Sequence, residues 1–272
     1  MNTIIVTTDY SPIAENAVAY AAAMAKYYNA RLLLFNAFKL SVPASNTLLP
    51  SSSITALEKE NNDRLRAAAE RVAAEYGIIA GHETAYAFVE DNIKALVEKH
   101  NAALVIMGMA PESREQDIFG NTTTAAIGKL DFPVLAVPAG AVFRGLDKVL
   151  LACDVLHDSP LQVLSGIKEK IGDLCPVVEV FYVHQDIGKT DTEIRREKTG
   201  DITYLYKDVQ SDNIVKAIKN EVIASSADLL IMVPGKYGFW SSLVHRSKTR
   251  KMASGLTIPL LAVPHPVCVA AG

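Results

Sequence analysis

The sequence predicts an α/β protein of two tandem units, each a five-stranded parallel sheet with helices on both faces. Three observations carry this. The chain repeats itself over a long period, apolar runs alternate with amphipathic stretches, and the apolar runs are nearly continuous, as in strands covered on both sides. The repeat is clearest in the closing strands, Pro133-Val134-Leu135-Ala136-Val137-Pro138 and Pro259-Leu260-Leu261-Ala262-Val263-Pro264. Asp91-Asn92-Ile93 matches Asp212-Asn213-Ile214, Ile106-Met107 matches Ile231-Met232, and Asp9 matches Asp154. Solenoid repeats run only about 20–50 residues, so this period means two domains. They are assigned to residues 1–140 and 146–272.

In the first copy, Thr3–Thr8 is a β-rich run stopped by Asp9, and Ser11-Pro12 supplies an N-cap with proline at the first helical position. Ile13, Ala17, Ala21, Met24 and Tyr28 recur at helical spacing, so the first helix is expected to reach Tyr28. Arg31–Ala37 is a buried strand. The next helix carries its apolar stripe on Ile54, Leu57, Leu65, Ala68, Val72 and Tyr76, and Gly77 ends it. Strand His82–Ala87, helix Asp91–His100, strand Ala103–Met107, a glycine-bearing loop, helix Thr122–Leu130 and strand Pro133–Val137 complete the unit. Ala139–Gly145 is the linker.

The second copy follows the same order: strand Lys148–Cys153, helix Pro160–Leu174, strands Val177–His184 and Ile202–Lys207, helix Asp212–Ser225, strand Asp228–Val233, helix Lys248–Ser254 and strand Ile258–Val263. Asp154 and Asp212 lie closer together than Asp9 and Asp91, so the long second helix is expected to shrink to an exposed, charged stub around Asp191–Arg196.

Composition narrows the function. Hydrophobic residues are 50%, charged residues 21% and the net charge −3, ordinary values for a globular chain. The mean field gives no reason to expect nucleic acid or an anionic membrane as partner. Cys153, Cys175 and Cys268 have no zinc-ligand spacing, which suits a reduced, cytoplasmic setting. The N-terminus lacks a basic region, so no signal peptide is expected, and no apolar stretch reaches membrane length without interruption.

In an open parallel sheet, ligands bind beyond the carboxyl ends of the strands. The relevant loop of the first copy follows Met107, opens at Gly108 and closes with Gly120-Asn121-Thr122-Thr123 before a helix. Glycine admits a phosphate to the backbone, and the helix start offers free N–H groups and a favourable dipole. Asn121, Thr122 or Thr123 could cap that helix and donate to a phosphate oxygen. Asp9, on the same edge, could accept from a ribose hydroxyl or an adenine amine, or simply cap the following helix.

The segments Thr8-Asp9-Tyr10-Ser11-Pro12-Ile13-Ala14-Glu15-Asn16-Ala17, Met107-Gly108…Gly120-Asn121-Thr122-Thr123 and Phe132-Pro133-Val134-Leu135-Ala136-Val137-Pro138 resemble the universal stress protein family. The resemblance covers nearly the whole chain as a tandem pair and is stronger in the first copy. It implies Rossmann-like units of the HUP (adenine nucleotide alpha hydrolase-like) kind, a stress-response role that is regulatory or protective, and an ATP or AMP ligand, with Mg²⁺ accompanying ATP. Members that bind ATP carry G-x2-G-x9-G-[ST] after the fourth strand. Gly108 matches the first glycine, Gly120 the third and Asn121 the Ser/Thr position, with Met107 preceding and Thr122 and Thr123 following. Asp9 matches the acidic residue beside the nucleoside, and Ala37 the backbone contact to adenine. No general base is visible, so hydrolysis is expected to be slow at most.

The chain also departs from that pattern. Pro111 stands where the second glycine belongs, and eight residues rather than nine separate it from Gly120. Proline offers no N–H, and Glu112, Glu115 and Asp117 add negative charge opposed only by Arg114. In the second copy Val233 replaces Gly108, the loop Pro234–Trp240 is apolar and aromatic, and His245-Arg246-Ser247 replaces the terminal glycine and hydroxyl. That half is expected to be structural or to bind protein partners through Phe239 and Trp240; an anion sensor using Arg246 is a weaker alternative. A scaffold that binds no nucleotide and acts through protein partners remains the main alternative for the whole chain. His157-Asp158 has no companion histidine or nucleophile at matching spacing, and Lys251-Met252-Ala253-Ser254 fits an ordinary helix. Each copy ends in an apolar strand that would expose an edge, so Val134–Val137 is expected to pair antiparallel with Leu260–Val263 as an internal pseudo-dimer. A homodimer of chains is left open.

Overall fold

The computed structural model describes residues 3–38, 51–86, 89–109, 132–153, 160–171, 175–184, 194–211, 213–233 and 256–264. The described strands form one eleven-stranded sheet in the order β3-β2-β1-β4-β5-β11-β10-β6-β7-β9-β8. The first half supplies β1 (Thr3–Thr7), β2 (Arg31–Phe38), β3 (Ala80–Tyr86), β4 (Leu104–Met109) and β5 (Val134–Pro138). The second supplies β6 (Lys148–Cys153), β7 (Val177–His184), β8 (Ile194–Thr199), β9 (Ile202–Gln210), β10 (Leu229–Met232) and β11 (Leu260–Ala262). Within each half the neighbouring strands run parallel, except that β8 pairs antiparallel with β9. The halves meet where β5 and β11 pair antiparallel, Leu260 opposite Ala136 and Ala262 opposite Val134. Each closing strand thus covers the apolar edge of the other.

Five helices are described: α1 (Pro12–Tyr27), α2 (Ser51–Tyr76), α3 (Val89–His100), α4 (Pro160–Ile171) and α5 (Ile214–Ser225). The start of α1 is the one read from sequence: the Ser11 hydroxyl accepts from the Ala14 N–H at 3.2 Å, and Pro12 takes the first position. Ala17, Ala21, Ala22 and Ala25 are buried, so the helix lies close to the sheet. Gly77 ends α2 at φ +68, its N–H on the Ala73 carbonyl. Ile4, Val6, Leu32 and Leu34 share a core cluster with α1 and α2, whereas Ile5, Leu33 and Phe35 share the opposite one with Ile93 and Leu96 of α3.

The linker is part of the core. Phe143 and Leu146 are buried, and the Phe143 ring packs edge-on against Tyr20 and Tyr27 of α1 at 5.3 and 5.6 Å. The Asn16 amide donates to the carbonyls of Pro138 and Ala141. One apolar cluster thus includes α1, Phe143, and Val149, Leu151 and Ile167 of the second half.

Two expectations need correction. The charged segment expected as a stub around Asp191–Arg196 contains β8, a fully exposed strand from Ile194 to Thr199, and residues 191–193 lie outside the described residues. Gly200, at φ +61, and Asp201 form the two-residue connection that places Thr199 opposite Ile202. Charged side chains on an edge strand oppose further pairing, which accounts for the sequence Ile194-Arg195-Arg196-Glu197-Lys198-Thr199. The match of Asp91-Asn92-Ile93 to Asp212-Asn213-Ile214 is displaced by one helical turn. Both helices end in a left-handed residue, Asn101 at φ 45 and Ser226 at φ 53, and equivalence from those ends pairs Ile93 with Ile218. Asn213 instead caps α5, its side chain accepting from the Lys216 N–H.

The halves also place buried charge differently. Near the base of the second half, Lys148 lies 2.6 Å from the buried Glu179, and Lys207 lies 2.5 Å from the buried Glu221. Burial pushes the Glu179 carboxyl up; Lys148 opposes this and Glu221 adds to it. At the strand position matching Lys207, the first half carries Glu83, paired with Lys99 at 2.7 Å and His100 at 2.6 Å. Burial raises the Glu83 pKa, but hydrogen bonds from Lys99 and His100 outweigh it and hold the carboxyl below its ordinary value of 4.5. A depressed folded pKa stabilises above the unfolded value and stops doing so as pH falls through the folded value. The stability difference between wild type and Glu83→Gln should therefore be present near neutrality and shrink below a pH of about 4.5, as read from urea unfolding across pH. A difference that grew on acidification would contradict the assignment.

Candidate functional site

The candidate site is a notch at the carboxyl end of β1. Strand β1 stops at Thr7, opposite Phe35 of β2, while β2 continues to Phe38. On the other side Val6 lies opposite Ile106, and β4 continues to Met109. The chain leaves β1 toward β2 and β3, and β4 leads to β5 on the opposite side. The notch is therefore the topological switch point of the first half, where open parallel sheets bind ligands.

Asp9 lies at the mouth of this notch and is exposed. Its Oδ1 accepts from the Ser11 N–H at 3.0 Å, while its Oδ2 has no hydrogen-bond partner among the described residues. The helix cap is Ser11, and Asp9 shapes the turn ahead of it with one carboxylate oxygen. Tyr10 makes the turn sharp: it sits at φ 65, a left-handed conformation that a bulky side chain rarely takes. The Thr8 hydroxyl accepts from the Tyr10 N–H at 3.0 Å. The Tyr10 ring packs against the α1–α2 core cluster, with the Arg64 guanidinium 3.7 Å from its centroid. Its hydroxyl is buried with no hydrogen-bond partner among the described residues. Burial pushes the phenol pKa up, with Arg64 opposing and Glu15 adding.

Beneath Asp9 lies a polar brace. The buried Asn36 side chain donates to the Thr8 carbonyl at 2.6 Å and accepts from Asn61 of α2 at 2.9 Å. It occupies the position just past the last β1–β2 pair, where it satisfies the Thr8 carbonyl. Sequence reasoning missed Tyr10, Asn36, Asn61 and Arg64. The readable signal was a lone asparagine inside an otherwise apolar strand, Leu32-Leu33-Leu34-Phe35-Asn36.

The other residues singled out divide into three groups. Ala37 is half-buried, pairs with Ala85 of β3 and projects beyond the end of β1, so its backbone borders the notch. Met107 is buried in the α3-side core, and only its backbone faces the strand edges. Gly108 does not open a loop but lies within β4, opposite Val137. A Cβ there would come 2.9 Å from Ile13 Cγ2 and 3.0 Å from the Ile13 carbonyl oxygen. The first turn of α1 thus requires glycine at this position. Gly120, Asn121, Thr122 and Thr123, with Pro111 and the acidic residues near it, lie outside the described residues. So do Asp154 and the second-half residues Phe239, Trp240, His245 and Arg246. No cluster of metal-ligating side chains occurs among the described residues. Among them, no helix is long and apolar enough to cross a membrane.

A sequence profile described as the universal stress protein family matches residues 1–138. No curated protein matches the chain by sequence. Among solved structures, a universal stress protein from Archaeoglobus fulgidus DSM 4304 is 16% identical, with 96% of each chain covered and a TM-score of 0.71. A functionally unknown protein from Pseudomonas aeruginosa PAO1 is 14% identical over 98% of this chain and 94% of that one, at a TM-score of 0.59. A putative universal stress protein from Pseudomonas aeruginosa UCBPP-PA14 is 14% identical over the same shares, at 0.56. At such identities the likeness speaks for the fold, and it extends over both halves.

Proposed function

Because this chain belongs to the universal stress protein family, we propose that it is a regulatory or protective adenine-nucleotide-binding module of the stress response, with the nucleotide held by the first half. The observation that carries this reading is the notch at the end of β1, with one Asp9 carboxylate oxygen unbonded among the described residues at its mouth. The carboxylate accepts from a ribose hydroxyl or an adenine amine, and the backbone at Ala37 borders the base. The backbone of Met107 and Gly108 lines the β4 side. Gly120, Asn121, Thr122 and Thr123 would take the phosphates of ATP or AMP, with Mg²⁺ accompanying ATP. The role is read as binding, with hydrolysis slow at most. Residues 1–140 and 146–272 are the two units, and the protein works in the cytoplasm.

The test is a denaturant unfolding series with ATP and Mg²⁺. Nucleotide at 100 times its Kd adds about 2.7 kcal/mol to stability. Asp9→Ala removes a charge-assisted hydrogen bond and should weaken binding by about tenfold or more, without lowering ligand-free stability by more than about 1 kcal/mol. Equal nucleotide-induced shifts in wild type and Asp9→Ala would refute the placement. A second reading, a scaffold acting through protein partners, draws on one observation: the contact with Ile13 gives Gly108 a packing role that needs no ligand. Millimolar nucleotide that leaves stability unchanged would favour it.

A further inference from the structure

The strongest unassigned feature is a groove of about 400 Å³ between α2 and the carboxyl ends of β2 and β3. It is lined by Phe38, Thr55, Glu58, Lys59, Asn62 and Thr84. The helical contributors fall at positions 55, 58, 59 and 62, a single stripe of α2. That stripe continues into Leu65, Ala69 and Val72, which are buried against the sheet. The same helix face is therefore apolar where it covers strands and polar where it reaches the strand ends.

Several polar side chains of α2 are already bonded. Arg66 pairs with Asp63 and Glu70, Arg71 pairs with Glu15, and Asn61 holds Asn36. Glu58, Lys59, Asn62 and Thr84 have no ion pair or hydrogen bond among the described residues. A groove with one carboxylate, one ammonium, neutral hydrogen-bonding groups and an aromatic ring has no net charge. It favours neither a simple anion nor a simple cation. Its complement carries both signs and an apolar portion, and its volume suits a molecule of that size. In the second half, the described element between β7 and β9 is the strand β8.

We propose that this groove binds a small dipolar molecule of the free α-amino acid class, with Lys59 taking the carboxylate, Glu58 the ammonium group, and Phe38 the apolar side chain. Asn62 and Thr84 complete the hydrogen bonding. The site is separate from the β1 notch and does not rest on the nucleotide reading. It borders the notch through Ala85, which lines the groove and lies opposite Ala37.

Titrating the ¹⁵N-labelled full chain with L-phenylalanine, phenylalaninamide and 3-phenylpropanoate tests this. L-phenylalanine should shift the amides of Asn62, Thr84 and Ala85 with a Kd on the order of 1 mM, and each truncated analogue should bind about tenfold more weakly. Lys59 and Glu58 are exposed helix residues, so both variants should keep the fold. Lys59→Met should erase the preference for the acid over the amide, and Glu58→Gln the preference for the amine over the deaminated acid. Absence of shifts at these amides up to about 20 mM L-phenylalanine would overturn the proposal. Equal binding of all three compounds, or preferences unmoved by both substitutions, would overturn it too.

Discussion

Gly108→Val is expected to lower stability by about 3 kcal/mol, the upper end for overpacking, and to abolish nucleotide-dependent stabilisation. The size follows from what the added atoms meet. The first obstacle is a flexible methyl group, Ile13 Cγ2 at 2.9 Å, but the second is the Ile13 carbonyl oxygen at 3.0 Å. A side chain can rotate away; backbone in the first turn of α1 can move only if the helix moves. Displacing α1 would shift Ser11 and the Asp9 turn that leads into it. Urea unfolding with and without nucleotide reads both effects. A Gly108→Val protein as stable as wild type would show that α1 does not lie so close to β4.

Phe143→Ala should cost about 3–4 kcal/mol, because Phe143 is 8% exposed and its ring packs on Tyr20 and Tyr27 within the apolar cluster that both halves share. A further consequence follows from the shared core. Wild type should unfold in one transition, since a single apolar cluster links the halves. The variant retains the β5–β11 pair, only three residues deep, as the main remaining junction. Its transition should broaden or split into two by calorimetry. A loss below about 1 kcal/mol would mean that the linker is not part of the core.

The elements readable from sequence were those whose local signals agree with their burial. Asp9 ends an apolar run, Ser11-Pro12 opens α1, Gly77 closes α2, and the closing strands announce their antiparallel junction by their shared apolar edges. Strand β8 was not readable because all its residues are exposed. A strand with no buried face leaves no alternation of apolar and polar residues, and its charges look like any solvated segment. The one-turn slip between α3 and α5 has a related cause. Residues a turn apart point the same way, so a short shared tripeptide cannot tell the two registers apart.

At the site, Asp9 could be located because position alone defines it. Tyr10 could not, since a bulky residue at φ 65 goes against its steric preference and only the surrounding fold holds it there. The Asn36–Asn61 brace depends on α2 crossing the sheet at that point, a long-range fact. Gly108 was legible as a position needing glycine, but its close neighbour Ile13 is a long-range fact of the fold.

Mapping amide shifts of the full chain during titration with ATP and Mg²⁺ tests the central claim most directly. The account predicts saturable shifts centred on Thr8, Asp9, Ala37 and Gly108, absent from the Asp9→Ala variant, with the strands β6, β7 and β9 unmoved. Shifts confined to the second half, or none at millimolar nucleotide, would contradict it.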